Sequence, residues 1–202
     1  MRRWPVFLLA WLMLGGAVSL YAKEVLQPTQ GQEQQLKVAS APSPKAIEAM
    51  HLAQSKDAYQ RELGFLRLEA LREPATIEFI TGYLNRNEPD LRAYSLRALS
   101  AIQGPAAAPT LLEALKNDRQ ARVRRAALLG LEPLVLSDPA ILPGLMKALR
   151  DRSTEVRMAA IDVVSRIDDP RAREAILIRN KRENQKDVRR VLELAMKRLK
   201  VS

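Results

Sequence analysis

The residues of this 202-residue chain that could do chemistry are few, and their spacing argues against most kinds of it. There is one histidine, His51, and there are no cysteines. A metal site needs about three convergent ligands, so a lone histidine followed by Leu52 cannot supply one. Without thiols there is no disulfide, zinc-thiolate site or lipid-modified cysteine. Serine nucleophiles lack a histidine partner in the patterned part of the chain. The carboxylate pair Asp168-Asp169 precedes Pro170, where Asp169 suits a helix cap better than acid–base work. Gly15-Gly16 lies in an apolar leader and Gly130 and Gly144 stand alone, so no phosphate-cradling loop is present. No catalytic residue, metal ligand or cofactor is assigned, and the expected role is non-enzymatic.

Arginine is what recurs. It follows an aliphatic residue at Leu91-Arg92, Val123-Arg124, Val156-Arg157 and Val188-Arg189, with a degenerate forerunner at Gln60-Arg61, giving steps of 31, 32, 33 and 32 residues. A period in this range marks a stacked repeat, not a single closed core. The elements that position these arginines can be read from the same register. Counting from the aliphatic residue, the places four, eight and eleven on hold Ser95, Leu99, Ile102; Ala127, Leu131, Leu134; Ala160, Val164, Ile167; and Leu192, Met196, Leu199. These offsets trace one face of a helix. Ala98, Gly130, Val163 and Ala195 recur at the seventh place, and Gly130 reads there as a close packing contact.

Pro74, Pro105, Pro139 and Pro170 then mark second helices, since proline suits the first helical position. Three, six and ten residues on stand Ile77, Ile80, Leu84; Ala108, Leu111, Leu115; and Leu142, Leu145, Leu149. In the last unit these places hold Arg173, Ile176 and Asn180, and at the first Gln60, Gly64 and Arg67 replace apolar residues, so both ends read as wetted caps. Aromatic residues are only 4% of the chain, which suits helix-on-helix packing. The fold class expected is all-α, an α-solenoid of about four helical hairpins and a terminal helix, occupying residues 46–202.

Ahead of it, Met1-Arg-Arg precedes 19 uncharged residues, Trp4 to Ala22. This segment is a signal peptide cleaved after Ser19 or Ala22, or an uncleaved membrane anchor; both place the remainder on the far side of the membrane, in the periplasm. Residues 23–45, rich in Gln, Pro and Ser, read as a flexible linker. Ala46 to Ser55 follows as a helix, with Ile47, Met50 and Leu52 as its packing residues.

From about Asp57 to Lys200 the chain resembles HEAT repeats, of the short type also found in phycobilisome lyases. The resemblance is carried by Asp90-Leu91-Arg92, Arg122-Val123-Arg124-Arg125-Ala126-Ala127, Glu155-Val156-Arg157-Met158-Ala159-Ala160 and Asp187-Val188-Arg189-Arg190. It implies a right-handed superhelix in which Arg92, Arg124, Arg157 and Arg189 form a structural ladder beside acids such as Asp90, Asp118, Asp151, Glu155 and Asp187. It also implies a wall of second helices that binds proteins or peptides. A branch similar to deoxyhypusine hydroxylase binds iron through histidine-glutamate pairs, which one histidine cannot reproduce. The lyase branch leaves no short motif to test and stays open as an enzymatic alternative, although export argues against it.

Candidate partner-binding residues on the second helices are Tyr83, Arg86, Lys116, Lys147 and Arg150, with Glu78 and Glu113. The partner expected is another envelope protein or a membrane complex. An alternative rests on charge: of the net +10, +7 lies in residues 170–202. Arg171, Arg173, Arg179, Lys181, Arg182 and Arg190 would there receive an anionic lipid or polymer. Nucleic acid is not an expected partner of an exported chain.

Overall fold

The structure, a computed structural model, describes residues 41–200. The leader, 1–22, and the linker as far as residue 40 lie outside the described residues. Among the described residues no helix is long and apolar enough to cross a membrane.

Ten α-helices are seen among the described residues: α1 (Pro44–Ala53), α2 (Ala58–Leu71), α3 (Ile77–Thr81), α4 (Pro89–Gln103), α5 (Ala108–Asn117), α6 (Ala121–Leu131), α7 (Leu142–Ala148), α8 (Thr154–Val164), α9 (Pro170–Arg182) and α10 (Lys186–Arg198). The helices form two rows. The first helices of successive hairpins, α2, α4, α6, α8 and α10, pack in sequence order, and α3, α5, α7 and α9 form the second row. Each of α5, α7 and α9 lies against the first helix of its own hairpin and that of the next. The described part of the chain is therefore an α-solenoid.

The faces read from the arginine register are buried. Leu99, Ala127, Leu131, Ala160, Val164 and Leu192 lie in the core, as do Leu111, Leu115, Leu142, Leu145 and Leu149 of the second row. Close approach of the first helices depends on Gly130. A Cβ there would stand 3.1 Å from Leu111 Cδ2 and 3.3 Å from Ser100 Cβ. The buried Ser100 hydroxyl uses the space to donate to the Gly130 carbonyl at 2.6 Å, tying α4 to α6.

Four expectations are corrected. The linker gives way to helix earlier than residue 46: α1 starts at Pro44, with the Ser43 hydroxyl accepting from the Ala46 amide. That helix packs through Ala46, Ala49 and Ala53, not through Ile47, which is 43% exposed, while Met50 and Leu52 are half-buried. The reason is Gly64 of α2: a Cβ on it would overlap the Ala53 backbone, so the helices touch nearly backbone to backbone and only alanine fits between. Gly64 is thus a contact and not a decayed position, with Phe65 and Leu68 buried beside it. The other correction concerns proline. Pro74 and Pro139 each open a 3₁₀ turn leading into the α-helix and Pro105 sits inside one, whereas Pro170 starts α9 directly. Asp169 does cap α9, accepting from the Arg171 amide at 2.8 Å.

Candidate partner-binding wall and the guanidinium ladder

The turns that join one hairpin to the next lie along a single edge, because the same hydrogen-bond pattern links each to its neighbour. Arg92 Nη1 donates to the carbonyls of Arg86 and Asn87, in the turn before α4. Its Nε and Nη2 donate to the carboxylate of Asp118, in the next turn, at 2.9 and 3.1 Å. Arg124 repeats the arrangement, with carbonyl partners Asp118 and Arg119 and a two-pronged pair to Asp151 at 2.8 and 2.7 Å. Arg157 repeats it again, from the carbonyls of Asp151 and Arg152 to Glu183 at 3.0 Å. One planar guanidinium therefore stitches two consecutive turns, a job its fixed fork of donors suits and an ammonium does not.

Each carboxylate is satisfied from the other side by its own turn. Asp118 accepts from the Gln120 amide and Asp151 from the Ser153 amide, each at 2.8 Å. Glu183 accepts from the amides of Asn184 and Gln185, each at 3.0 Å, and also pairs with Arg179. Burial would push these acids up in pKa, but their donors prevail. Arg92 with the Gln120 amide, and Arg124 with the Ser153 amide, hold Asp118 and Asp151 below the ordinary carboxylate value. For Glu183, burial is outweighed by the Gln185 amide, Arg179 and Arg157, which hold it at about 2. Paired and hydrogen-bonded on both sides, these ions avoid most of the penalty of burial.

The ladder departs from its sequence reading at both ends. Arg61 keeps the carbonyl half, donating to Ser55 and Lys56, but of the places 26 and 27 residues on, Asn87 has no carboxylate and Glu88 is exposed and in no ion pair among the described residues. Arg189 is exposed and takes part in no ion pair among the described residues. Of the acids named beside the ladder, Asp118 and Asp151 are rung partners. Asp90 instead pairs with Arg122, which stacks over Tyr94 at 5.8 Å, and Glu155 and Asp187 are exposed outside any rung. The residue missed was Glu183. A constant offset would have found it, since each rung acid follows its arginine by 26 or 27 residues.

Along the second row, Lys116, Lys147 and Arg150 are exposed, as are Glu78 and Glu113. Tyr83 is half-buried, its ring 5.2 Å from Phe65 edge-on and 5.1 Å from Phe79, with the Arg86 guanidinium 5.6 Å over its face. Between α4, α5 and the end of the first hairpin is a cleft of about 560 Å³, walled by Leu84, Leu96, Pro109 and Ala114 with Asn85, Thr110 and Glu113 among its polar groups. The cations expected to meet an anionic surface differ in how they are paired. Arg171 pairs with Asp169 at 2.7 Å and Arg179 with Glu183, while Arg173, Lys181 and Arg182 are exposed and Arg190 stands 4.0 Å from Asp187. Among the described residues no three of His, Cys, Asp and Glu are grouped so as to hold a metal ion.

A family model of HEAT repeats matches residues 44–132 and 117–197. Among solved structures, the chain is similar to one in the complex of CpcE and CpcF of phycocyanin lyase from Nostoc sp. PCC7120. The identity is 23% and the TM-score 0.64, over 75% of this chain and 97% of that one. An engineered protein is similar at 16% identity and a TM-score of 0.47, over 81% of this chain and 86% of the other. No curated protein matches the chain.

Proposed function

This chain belongs to the HEAT-repeat family, and from that premise we propose that it is a non-catalytic scaffold that binds a protein partner on its second-helix wall, in the cell envelope. The observation that carries the reading is the ladder. Its three complete rungs fix α3, α5, α7 and α9 at set spacings through their adjoining turns, so the wall is a preorganised surface. Its exposed groups are mixed in chemistry, as interaction surfaces commonly are, and the apolar cleft beside Leu84 and Pro109 offers room for a side chain of the partner. The envelope location rests on the apolar leader between Trp4 and Ala22, which directs the rest of the chain across the membrane. The Nostoc neighbour was solved as a complex of two proteins, which is consistent with a repeat fold working through a partner.

Photo-crosslinking in intact cells tests the proposal. A probe at Lys116 or Lys147, on the wall, is expected to capture a discrete protein, and a probe at Leu194, 62% exposed on α10 in the other row, is not. Capture from Leu194 alone, or from none of the three, would overturn the reading.

A further inference from the structure

The ladder edge, which the family reading treats as structural, has an electrical consequence. Every acid that anchors a rung there is consumed by a guanidinium: Asp118 by Arg92, Asp151 by Arg124 and Glu183 by Arg157 and Arg179. The basic residues on either side of those acids have no such partner. Lys116 and Arg119 flank Asp118, Arg150 and Arg152 flank Asp151, and Lys181 and Arg182 precede Glu183. All six are exposed, and none is in an ion pair among the described residues. Because Arg124 bridges the turns at 118–119 and 151, and Arg157 those at 151–152 and 183, the three cationic pairs stand on consecutive rungs of one edge. Packed helices are about 8–10 Å apart, close to the Debye length of about 10 Å at 0.1 M salt, so neighbouring pairs reinforce one another's field. The edge at the first hairpin differs, since Arg86 is followed there by Asn87 and the exposed Glu88.

We propose that the turns at residues 116–119, 150–152 and 181–182 form a linear basic strip that receives an extended acidic segment of the protein partner. This rests on the scaffold reading above and adds the chemistry of what is bound. The shape selects the occupant: a single file of cations rung by rung matches side-chain carboxylates along one extended chain. The rigid ladder beneath means that little order has to be gained on binding. None of the six makes a rung's ion pair, and although Arg152 also donates to the Arg119 carbonyl at 2.8 Å, Arg119, Arg150 and Arg182 make no side-chain hydrogen bond among the described residues, so these three can be altered without breaking the ladder.

The test uses the full chain and a fluorescent twelve-residue peptide of alternating Glu and Ser. The triple variant Arg119→Gln/Arg150→Gln/Arg182→Gln is compared with Arg125→Gln/Arg189→Gln/Lys197→Gln, which removes three exposed cations from the first-helix row. The strip variant is expected to weaken binding by about tenfold and to flatten its salt dependence, and the control to change it by less than about twofold, with both melting as the native chain does. Equal weakening by the two variants would overturn the strip, as would a peptide that fails to bind at low salt. Tighter, strip-dependent binding to phosphatidylglycerol vesicles than to the peptide would also overturn it, by showing that the edge meets a membrane. If crosslinks from Lys147, which lies on α7 outside the strip, still capture a protein in any of these cases, the scaffold reading stands and only the strip is lost.

Discussion

Gly64 and Gly144 show how much a single residue's neighbour decides. A methyl group on Gly64 meets backbone, with the Ala49 carbonyl oxygen only 2.7 Å from the new carbon, and neither α1 nor α2 can yield without separating. On Gly144 it meets the far end of the Leu112 side chain, which can turn aside. Gly64→Ala is therefore expected to cost about 3 kcal/mol and to expose α1 to protease, while Gly144→Ala changes stability by less than about 1 kcal/mol; paired thermal melts check this. The arginines divide in the same way despite their shared motif. The Arg124 side chain is 4% exposed and that of its partner Asp151 10%, so Arg124→Gln leaves a buried carboxylate and is expected to cost about 3 kcal/mol. Arg189→Gln, at an exposed place, is expected to cost less than about 0.5 kcal/mol, and chemical denaturation of the two variants checks the difference.

Between helices, the rung acids make the stack sensitive to acid in a defined direction. Glu183 titrates at about 2 in the folded chain, below the value near 4.5 that an unpaired glutamate has. A carboxylate with a depressed folded pKa contributes stability above its unfolded value, and that stability is lost as pH falls from about 4.5 to 2. The shift corresponds to about 3 kcal/mol for this one group. Melting temperature measured from pH 6 to pH 2 is expected to fall steeply below about pH 4.5, and Glu183→Gln is expected to lower the plateau and flatten that fall. A Glu183→Gln profile parallel to the native one would show that the third rung carries little of the coupling between α8 and α9. The hairpins themselves were largely readable beforehand, because burial repeats with the helical period: Leu131, Val164 and Leu145 are all fully buried where the register put them. Less readable was anything set by backbone proximity. The alanine seam of α1 follows from Gly64, which as a letter in the sequence looks like a lost core residue. Glu183 is less legible than Asp118 and Asp151 because the last rung has a glutamate where the two before it have an aspartate, 26 residues from its arginine and outside the repeated motif.

At the scale of the whole chain, the solenoid has no single centre, and each hairpin depends on its neighbours. Leu131→Asp buries a charge without a partner at the middle of the array and is expected to abolish cooperative melting. What the chain binds was the least legible property, since a surface leaves no spacing rule in the sequence; the exposed cations at the turns acquire meaning only once the adjacent acids are seen to be spent. Guanidinium rungs hold consecutive turns in register, so that the second-helix wall is one preorganised surface. Native-state hydrogen exchange at the Ser153 amide, which donates to Asp151 opposite Arg124, reads this most directly. In Arg124→Gln this amide is expected to lose at least tenfold in protection, with a smaller loss at Gln120 and Gln185 on the neighbouring rungs. Unchanged protection at Ser153 in a folded Arg124→Gln chain would contradict the claim.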